Sequence, residues 1–510
     1  MHFAVRPLSN ILQRLLNVLI AVCDLGQVVS IEMLPDDVLL AIFNFYADES
    51  SFLADTKEQV EGWQTLVHVS RRWRSIVFGS PCRLNLRLGC TSKTPARDLL
   101  DVWPALPLLI WIHGNNPVGG VDNSTAALQR SDRVCEIDLW NVPNSHLEKI
   151  SAAMQVPFPK LTDLVFDLND DIDETSDEVD EMPDEIDDMP VLPDSFLGGF
   201  APRLQFLQLD RVPFPRLPNL LLSAPHLTAL HIINIPHCGY FPPEAMVTAL
   251  STLTSLRSLS LGFYSPLSRP DWANRRPPPL TRSVLPDLVY FFFKGVSEYL
   301  EDIVARIDTP RLDHLSITFF NQIEFDTPQS ILFIGRTPTF KSFKTALLLF
   351  GRYGATFELP SQTRTLGSEL LTVDILCKDV DWQISSLEQV CTSSLPPLST
   401  LEDLYISERQ HSPPRWQDNI ENTLWLELLH PFASAKNLYL SGQVAPRIVP
   451  ALQELVGTRT MEVLPTLQNI FLEELQPSGP VLEGIERFVA TRQAVSRPIV
   501  VSRWENLAHD

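Results

Sequence analysis

A six-residue unit with apolar residues at its first, fourth and sixth positions recurs through the 510-residue chain and restricts its fold more than any other feature. Clear copies begin at Leu161, Leu204, Leu227, Leu256, Leu288, Leu312, Leu401 and Leu467. Weaker copies begin at Val134, Phe340, Leu370 and Ala435. Successive starts lie 23 to 34 residues apart, with one interval of 43 residues. A period of this length predicts a stacked repeat architecture.

Each unit is expected to form a short strand, because residues two apart in a strand lie on the same face. The fourth and sixth residues then point inward, and the third and fifth point outward. Segments between copies, such as 242–250, 296–307 and 444–456, carry apolar residues at helical spacing. Strand, crossover helix and strand at a period near thirty predict an α/β fold with a continuous parallel sheet along a curved, horseshoe-like solenoid.

The outward fifth positions of these strands form the expected partner surface. They hold Gln208, His231, Ser260, Phe292, Ser316, Lys344, Asp374, Tyr405, Tyr439 and Phe471. Parallel strands lie about 4.8 Å apart, so Tyr405, Tyr439 and Phe471 are expected to stack in one column. Exposed aromatic residues are frequent interface anchors, so these three residues and Phe292 are predicted to bind a protein target. In the alternative, the C-terminal segment 497–510, with Trp504, folds back and covers the column.

The segment before the repeats has a different pattern. Pro35, Asp36 and Asp37 suit the first turn of a helix, and apolar residues follow at helical spacing up to Tyr46. A second helical pattern runs over 63–77, with Arg71, Arg72 and Arg74 expected to face solvent or a partner. Two or three helices in some fifty residues cannot bury all these apolar side chains among themselves. Another surface is therefore expected to cover the remainder.

These residues resemble the F-box family. The likeness rests on Leu34-Pro35, Asp37, Val38-Leu39 and Ile42-Phe43, followed by the run Val69-Ser70-Arg71-Arg72-Trp73-Arg74. Two departures are Ser70, where the family has Cys, and a longer connection over 47–64. The resemblance covers residues 31–80. The repeats look like the degenerate leucine-rich repeats found beside F-boxes, particularly in mushroom-forming basidiomycete fungi.

The resemblance implies a substrate-recognition subunit of a Skp-cullin-F-box ubiquitin ligase, without catalytic activity of its own. The F-box would bind the Skp adaptor, and through it the cullin, while the repeat domain binds a protein target. The implied adaptor-binding residues are Leu34, Pro35, Val38, Leu39, Ile42, Phe43, Leu66, Val69 and Trp73. Two alternatives are a leucine-rich-repeat interaction scaffold without a ligase role, whose helical head caps the solenoid, and a secreted recognition receptor.

Charge and cysteine content limit the remaining partners. Thirteen acidic residues lie between Asp167 and Asp188, and leaving them out takes the net charge from −22 to −9. A surface of this sign repels phosphate backbones, so no nucleic-acid partner is expected. Seven scattered cysteines without a C-x-x-C pair indicate a reducing compartment, cytoplasmic or nuclear. Residues 1–30 fit a short helix or extension, or a signal peptide. Their apolar stretch is too short to cross a membrane.

Catalytic and cofactor signatures are missing from the sequence. It contains no G-x-x-x-x-G-K, G-x-G-x-x-G, G-x-S-x-G or H-E-x-x-H pattern, so no enzyme activity and no cofactor are expected. His226, His231, His237 and Cys238 match no zinc spacing, and no metal site is predicted. The predicted organisation is an extension over 1–30, an F-box over 31–80 and a solenoid over 81–505, with an acidic disordered loop at 167–190 and a Pro-rich loop at 266–280.

Overall fold

A computed structural model describes residues 31–52, 62–91, 96–113, 120–168, 191–270, 281–322, 325, 327–341, 343–360, 369–393, 398–417, 420–473 and 479–504. The predictions for residues 1–30, for most of the acidic loop and for 271–280 of the Pro-rich loop therefore lie outside the described residues. Asp167 and Leu168 are a correction to the acidic-loop boundary, since they end a strand in which Leu168 is buried.

The N-terminal head is the name used here for residues 31–80, and its described residues contain three α-helices. They are α1 (Asp36–Phe52), α2 (Gly62–Val69) and α3 (Arg71–Gly79). Ser70 is the N-cap of α3, and its hydroxyl oxygen accepts a hydrogen bond from the backbone N–H of Trp73 at 3.2 Å. Serine is a favoured N-cap residue, which gives a physical reason for its place between the two helices.

The head packs against the first part of the solenoid through aromatic rings. Trp63 lies edge-on to Trp103, with ring centroids 5.2 Å apart, and Phe78 packs against both rings. The Trp63 indole N–H also donates a hydrogen bond to the carbonyl oxygen of Arg87 at 3.1 Å. Trp63 is buried by these contacts. One side of the head is thus covered by the chain itself.

Sixteen strands of the described chain form one sheet, and nearly all neighbouring pairs are parallel. Their bounds are β1 (Leu88–Thr91), β2 (Leu108–His113), β3 (Val134–Val142), β4 (Asp163–Leu168), β5 (Phe206–Asp210), β6 (Ala229–Ile235), β7 (Ser258–Phe263), β9 (Tyr290–Gly295), β11 (His314–Phe320), β12 (Thr345–Phe350), β13 (Gly354–Pro360), β14 (Glu369–Leu376), β15 (Asp403–Glu408), β16 (Asn437–Leu440), β17 (Asn469–Leu472) and β18 (Val500–Arg503). A separate two-stranded sheet pairs β8 (Ser283–Val284) with β10 (Ile307–Asp308).

Helices connect most of these strands. They are α4 (Ala96–Val102), α5 (Gly120–Leu128), α6 (Asn144–Ala153), α7 (Leu217–Leu221), α8 (Pro243–Leu250), α9 (Ser297–Val304), α10 (Pro328–Arg336), α11 (Val380–Ser393), α12 (Asn422–Leu429), α13 (Ala445–Gln453) and α14 (Pro480–Ala494). The three crossover segments chosen from the sequence contain α8, α9 and α13. Inward strand residues such as Leu164, Phe166, Leu438 and Leu440 are buried, as the apolar spacing requires. The predicted α/β solenoid with a long parallel sheet is confirmed.

The prediction of an entirely parallel sheet is wrong at β13. The spatial order runs β11, β14, β13, β12, β15, and β13 is antiparallel to both its neighbours. Three residues, 351–353, join β12 to β13. A parallel crossover needs about a dozen residues or more, so this connection permits only a hairpin. The chain therefore passes over two strand positions and returns to fill them.

The two weak units in this part of the chain, which correspond to β12 and β14, also have a different register from the predicted one. In the structure Leu347, not Lys344, is the outward residue beside Tyr405. Thr372, not Asp374, occupies the outward row beside Ser316. The predicted unit that begins at Phe340 therefore lies three residues too early in the sequence. The predicted unit that begins at Leu370 lies two residues too late. Apolar residues are dense in both segments, so their spacing fits more than one register.

Glycine at position 354 is required by the close approach of β13 to β14. A Cβ atom there would collide with the backbone carbonyl of Ile375, whereas a Cβ on Gly335 would meet nothing within 4 Å. We expect Gly354→Ala to lower the free energy of unfolding by about 1–3 kcal/mol, since backbone must move. Gly335→Ala, in helix α10, should raise it by up to about 1 kcal/mol. Denaturant unfolding followed by circular dichroism compares them, and equal stability of the two variants would contradict the prediction.

Candidate functional site

Three aromatic side chains on the outward face of β15, β16 and β17 form a continuous stack, here called the aromatic column. The rings of Tyr405 and Tyr439 are 4.0 Å apart between centroids and 7° from parallel. The rings of Tyr439 and Phe471 are 4.5 Å apart and 8° from parallel. The three residues are register partners on adjacent parallel strands. All three are half-buried, so part of each ring reaches solvent.

A polar ladder two positions nearer the strand starts, on the same outward face, fixes this register. The Asn437 side-chain amide donates a hydrogen bond to the Asp403 carboxylate at 2.7 Å. The Asn469 amide donates to the Asn437 side-chain oxygen, also at 2.7 Å. A register slip of one residue would separate these pairs and turn the apolar residues outward. The ladder and the buried inner residues together hold the column in place.

Trp504 lies across the column. Its ring is 5.6 Å from the rings of both Tyr405 and Tyr439, at 65° and 72° to them. Its backbone N–H donates a hydrogen bond to the carbonyl oxygen of Leu472 at 2.8 Å, next to strand β18. The described part of the C-terminal segment, which ends at Trp504, therefore folds back onto the column, as the alternative expects. It covers the rings only in part, since Tyr405, Tyr439 and Phe471 are half-buried and not fully buried.

Phe292 is not part of this site. It lies on β9 between Ser260 and Ser316, and five strand steps separate β9 from β15. At about 4.8 Å per strand this amounts to about 24 Å along the sheet. Of the four residues predicted to bind a target, three therefore lie together in the aromatic column, and Phe292 lies apart from them.

Two other outward positions hold titratable side chains in partly buried surroundings. Burial lowers the pKa of His231, whose Nε2 lies 2.9 Å from the Ser258 hydroxyl. Burial also lowers the pKa of Lys294, and the nearby Asp210 carboxylate partly opposes that shift. Within the described residues no group of three or more His, Cys, Asp or Glu side chains is placed to hold a metal ion.

The residues of the head divide into an inner and an outer set. Leu39, Phe43 and Leu66 are buried and pack within the head. The remaining implied adaptor-binding residues reach solvent, and they are Leu34, Pro35, Val38, Ile42, Val69 and Trp73. Val69 is 57% exposed. Trp73 packs one side of its ring on Phe43, with centroids 4.7 Å apart, and is half-buried. The head thus has an accessible apolar face.

Ile31 and Met33 extend this face and were not chosen from the sequence. Ile31 is 46% exposed and Met33 67% exposed, in a 3-10 turn just before Leu34. The sequence signal that would have identified them is the pair of apolar residues on either side of Glu32, just before Leu34 and Pro35. We use the name head surface for Ile31, Met33, Leu34, Pro35, Val38, Ile42, Val69 and Trp73.

The three arginines of the head, Arg71, Arg72 and Arg74, are exposed, as the sequence predicts, and Arg72 and Arg74 also bind other groups of the head. The Arg72 guanidinium donates a hydrogen bond to the Leu34 carbonyl oxygen at 2.6 Å and pairs with the Asp36 carboxylate at 2.6 Å. Arg74 donates to the Val67 carbonyl oxygen at 3.0 Å. Arg72 therefore holds the start of α1 against α3 and orients Leu34 and Pro35.

Comparisons with known proteins give little to add to this geometry. No family model matches the sequence, and no curated protein matches it significantly. Among solved structures, a leucine-rich-repeat-containing protein, LegL7 from Legionella pneumophila, is 11% identical over 79% of this chain and 97% of its own, with a TM-score of 0.25. In the part of the chain that the structure describes, no helix is both long and apolar enough to cross a bilayer.

Proposed function

We propose that this chain is a substrate receptor of a Skp-cullin-F-box ubiquitin ligase, with its head surface binding the Skp adaptor and its solenoid binding a protein target. In this proposal the repeats are irregular leucine-rich repeats and the head is an F-box. The chain works in the cytoplasm or nucleus, has no catalytic site and uses no cofactor. A strand-and-helix solenoid with an exposed outward face is typical of protein interaction domains.

Adaptor binding is proposed on one observation, which is that some apolar residues of the head are buried and others are exposed. Leu39, Phe43 and Leu66 complete the internal packing, yet apolar side chains such as Val69 and Met33 remain exposed beside them. Several exposed apolar side chains on one small helical unit indicate a contact with another protein. The solenoid covers another part of the head, where Trp63 packs on Trp103, and it leaves Val69 and Met33 exposed.

The aromatic column supports the target half. Tyrosine is enriched among the side chains that contribute most binding energy, because a large rigid ring loses little entropy on binding. The stacked rings of Tyr405, Tyr439 and Phe471 are held by strand pairing before any partner arrives. Preorganised side chains bind more tightly than mobile ones.

The chain would contribute proximity to the reaction. A target held on the solenoid, and an adaptor held on the head, would place lysines of the target near ubiquitin activated by other subunits. Holding two reactants together converts a bimolecular step into an effectively unimolecular one. No side chain of this chain needs to take part in the bond-forming step.

Binding to purified components tests the adaptor half. The full chain, immobilised, should retain a purified Skp adaptor, and a cullin should be retained only when the adaptor is present. Retention of the adaptor without cullin would favour the alternative function, an interaction scaffold. Failure to retain the adaptor would refute the proposal for the head.

Site-specific crosslinking tests the target half. We expect a photoreactive phenylalanine analogue at position 439 to form covalent adducts with a discrete cellular protein. The same analogue at Gln208, in the same outward row but on β5, should form far fewer. Adducts of the same protein in equal yield from both positions would contradict a role for the aromatic column. Mass spectrometry of the adducts would identify the target.

A further inference from the structure

A basic pocket lies where the strand order changes. It is a cavity of about 360 Å³ beside the β12–β13 hairpin and the segments that follow β14 and β15. Three cationic and two aromatic side chains and one carboxylate line it, namely Arg352, Lys378, Arg415, Tyr353, Trp416 and Asp379. None of these residues belongs to the head surface or to the aromatic column.

Buried hydrogen bonds fix the three segments that form the basic pocket. Gln383 is fully buried, and its side-chain amide donates to the carbonyl oxygens of Gly351 at 2.9 Å and Cys377 at 2.7 Å. The Arg352 N–H donates to the Ser412 carbonyl oxygen at 2.9 Å, and the Cys377 N–H donates to the Tyr353 carbonyl oxygen at 3.0 Å. The backbone that carries the cations is therefore positioned without a ligand.

The two rings of the basic pocket are held in different ways. Trp416 packs on Phe350 at 5.9 Å and on Trp425 at 6.5 Å, and the Arg447 guanidinium lies 4.4 Å from its centroid. Tyr353 is 47% exposed, with the Arg352 guanidinium 5.4 Å from its ring. One ring thus forms a fixed wall, and the other is accessible to a ligand.

The charge of the basic pocket is opposite to that of the protein. The chain has 62 acidic and 40 basic residues, whereas the pocket lining has three cations and the single carboxylate of Asp379. Several cations around one cavity favour an anion with several oxygen atoms, such as a phosphate group. The aromatic walls favour a planar ring. A volume of this size accommodates one small organic ligand.

We propose that the basic pocket binds a small anion that carries both a phosphate group and a planar ring. Arg352, Lys378 and Arg415 contact the phosphate, and Tyr353 and Trp416 contact the ring. The ligand is a nucleotide-like metabolite or a phosphorylated tyrosine side chain. A single-stranded nucleic acid is disfavoured, because the chain carries a net charge of −22.

Five small probes test this proposal on the full chain by calorimetry. Phenyl phosphate has both groups, inorganic phosphate has only the anion and phenol has only the ring. We expect phenyl phosphate to bind at least about tenfold more tightly than either of the others, since charge and stacking both contribute. Equal binding of phenyl phosphate and inorganic phosphate would overturn the role of the ring. AMP and N-acetyl-phosphotyrosine amide then identify the source, and tighter binding of either one supports the proposal.

Matched variants separate the basic pocket from general charge effects. Lys378→Gln and Arg415→Gln, both at exposed positions, should each weaken phenyl phosphate binding about tenfold. Arg311→Gln removes a cation from the exposed ion pair with Asp287, outside the basic pocket, and should leave phenyl phosphate binding unchanged. Thermal melting checks that all three variants fold. Equal losses in all three variants, or displacement of phenyl phosphate by an oligonucleotide at much lower concentration, would overturn the proposal.

Discussion

Replacing Pro35 by Asp and Val69 by Gln in one variant should weaken adaptor binding at least about a hundredfold. Burying an apolar side chain of this size contributes roughly 1.5–3 kcal/mol, and about 1.4 kcal/mol corresponds to tenfold in affinity. Placing a carboxylate at position 35 adds the cost of removing a charge from water. Titration calorimetry of the variant with purified adaptor measures the change.

The head should remain folded in this variant. Pro35 and Val69 are exposed, so neither contributes to the inner packing around Phe43. Pro35 precedes helix α1, and its carbonyl oxygen accepts hydrogen bonds from the N–H groups of Val38 and Leu39. Aspartate is a favoured residue at such a position. Helix content and melting temperature should therefore stay close to those of the parent.

A second double variant provides the control. Val456→Gln with Leu267→Gln removes two exposed apolar side chains from the solenoid, where Val456 is 63% exposed and Leu267 65% exposed. Its affinity for the adaptor should equal that of the parent. If the Pro35 and Val69 variant bound as tightly as this control, the head surface would not be the adaptor site.

Trp425→Ala should lower the free energy of unfolding by about 3–5 kcal/mol, the largest stability change that we expect from one substitution here. Trp425 on α12 is fully buried and contacts Phe350 at 5.5 Å between ring centroids. Removing the indole leaves a cavity in the layer between β12 and the helices. Denaturant unfolding followed by circular dichroism measures the loss.

Trp382→Ala is the matched control. Trp382 on α11 is 46% exposed, so its removal should change stability by less than about 0.5 kcal/mol. Similar effects of the two substitutions would mean that Trp425 is not an essential part of the core. Trp425 also supports Trp416, so Trp425→Ala should additionally disturb the basic pocket.

Much of the solenoid was predictable because its signal is local and repeated. The units that begin at Leu204, Leu227 and Ala435 have buried residues at fixed spacing. A strand with one buried face follows from that spacing. The aromatic column was predictable for the same reason, since Tyr405, Tyr439 and Phe471 hold the same place in three units. The helices that connect the strands began with Pro at several positions, as at Pro243.

The excursion through β13 was not predictable from the spacing. Whether β12 lies next to β11 or three positions away depends on contacts between residues far apart in sequence, such as Leu315 with Leu371. A local pattern of apolar residues carries no information about which strands become neighbours. Strands β1, β2 and β18 were also missed. Leu88–Thr91 and Val500–Arg503 lack the spacing of the unit, whereas apolar residues are so dense at Leu108–His113 that the spacing fits more than one register.

The head shows a similar limit. Its apolar residues were identified from helical spacing, but the spacing did not distinguish Leu39 and Phe43, which are buried, from Val38 and Ile42, which reach solvent. That distinction depends on how α1 lies against α2 and α3. The basic pocket was not identified at all, because Arg352, Lys378 and Arg415 come from three separate segments.

The reversed order of β12, β13 and β14 has a consequence for how the chain acquires its structure. In a repeat protein folding spreads from each unit to the next, since each unit contacts its neighbours in sequence. Here the strand after β11 in space is β14, and 48 residues lie between them in the chain. Contacts across such separations form slowly. We therefore expect refolding to pause at β11, with the earlier and later halves gaining structure independently before they join.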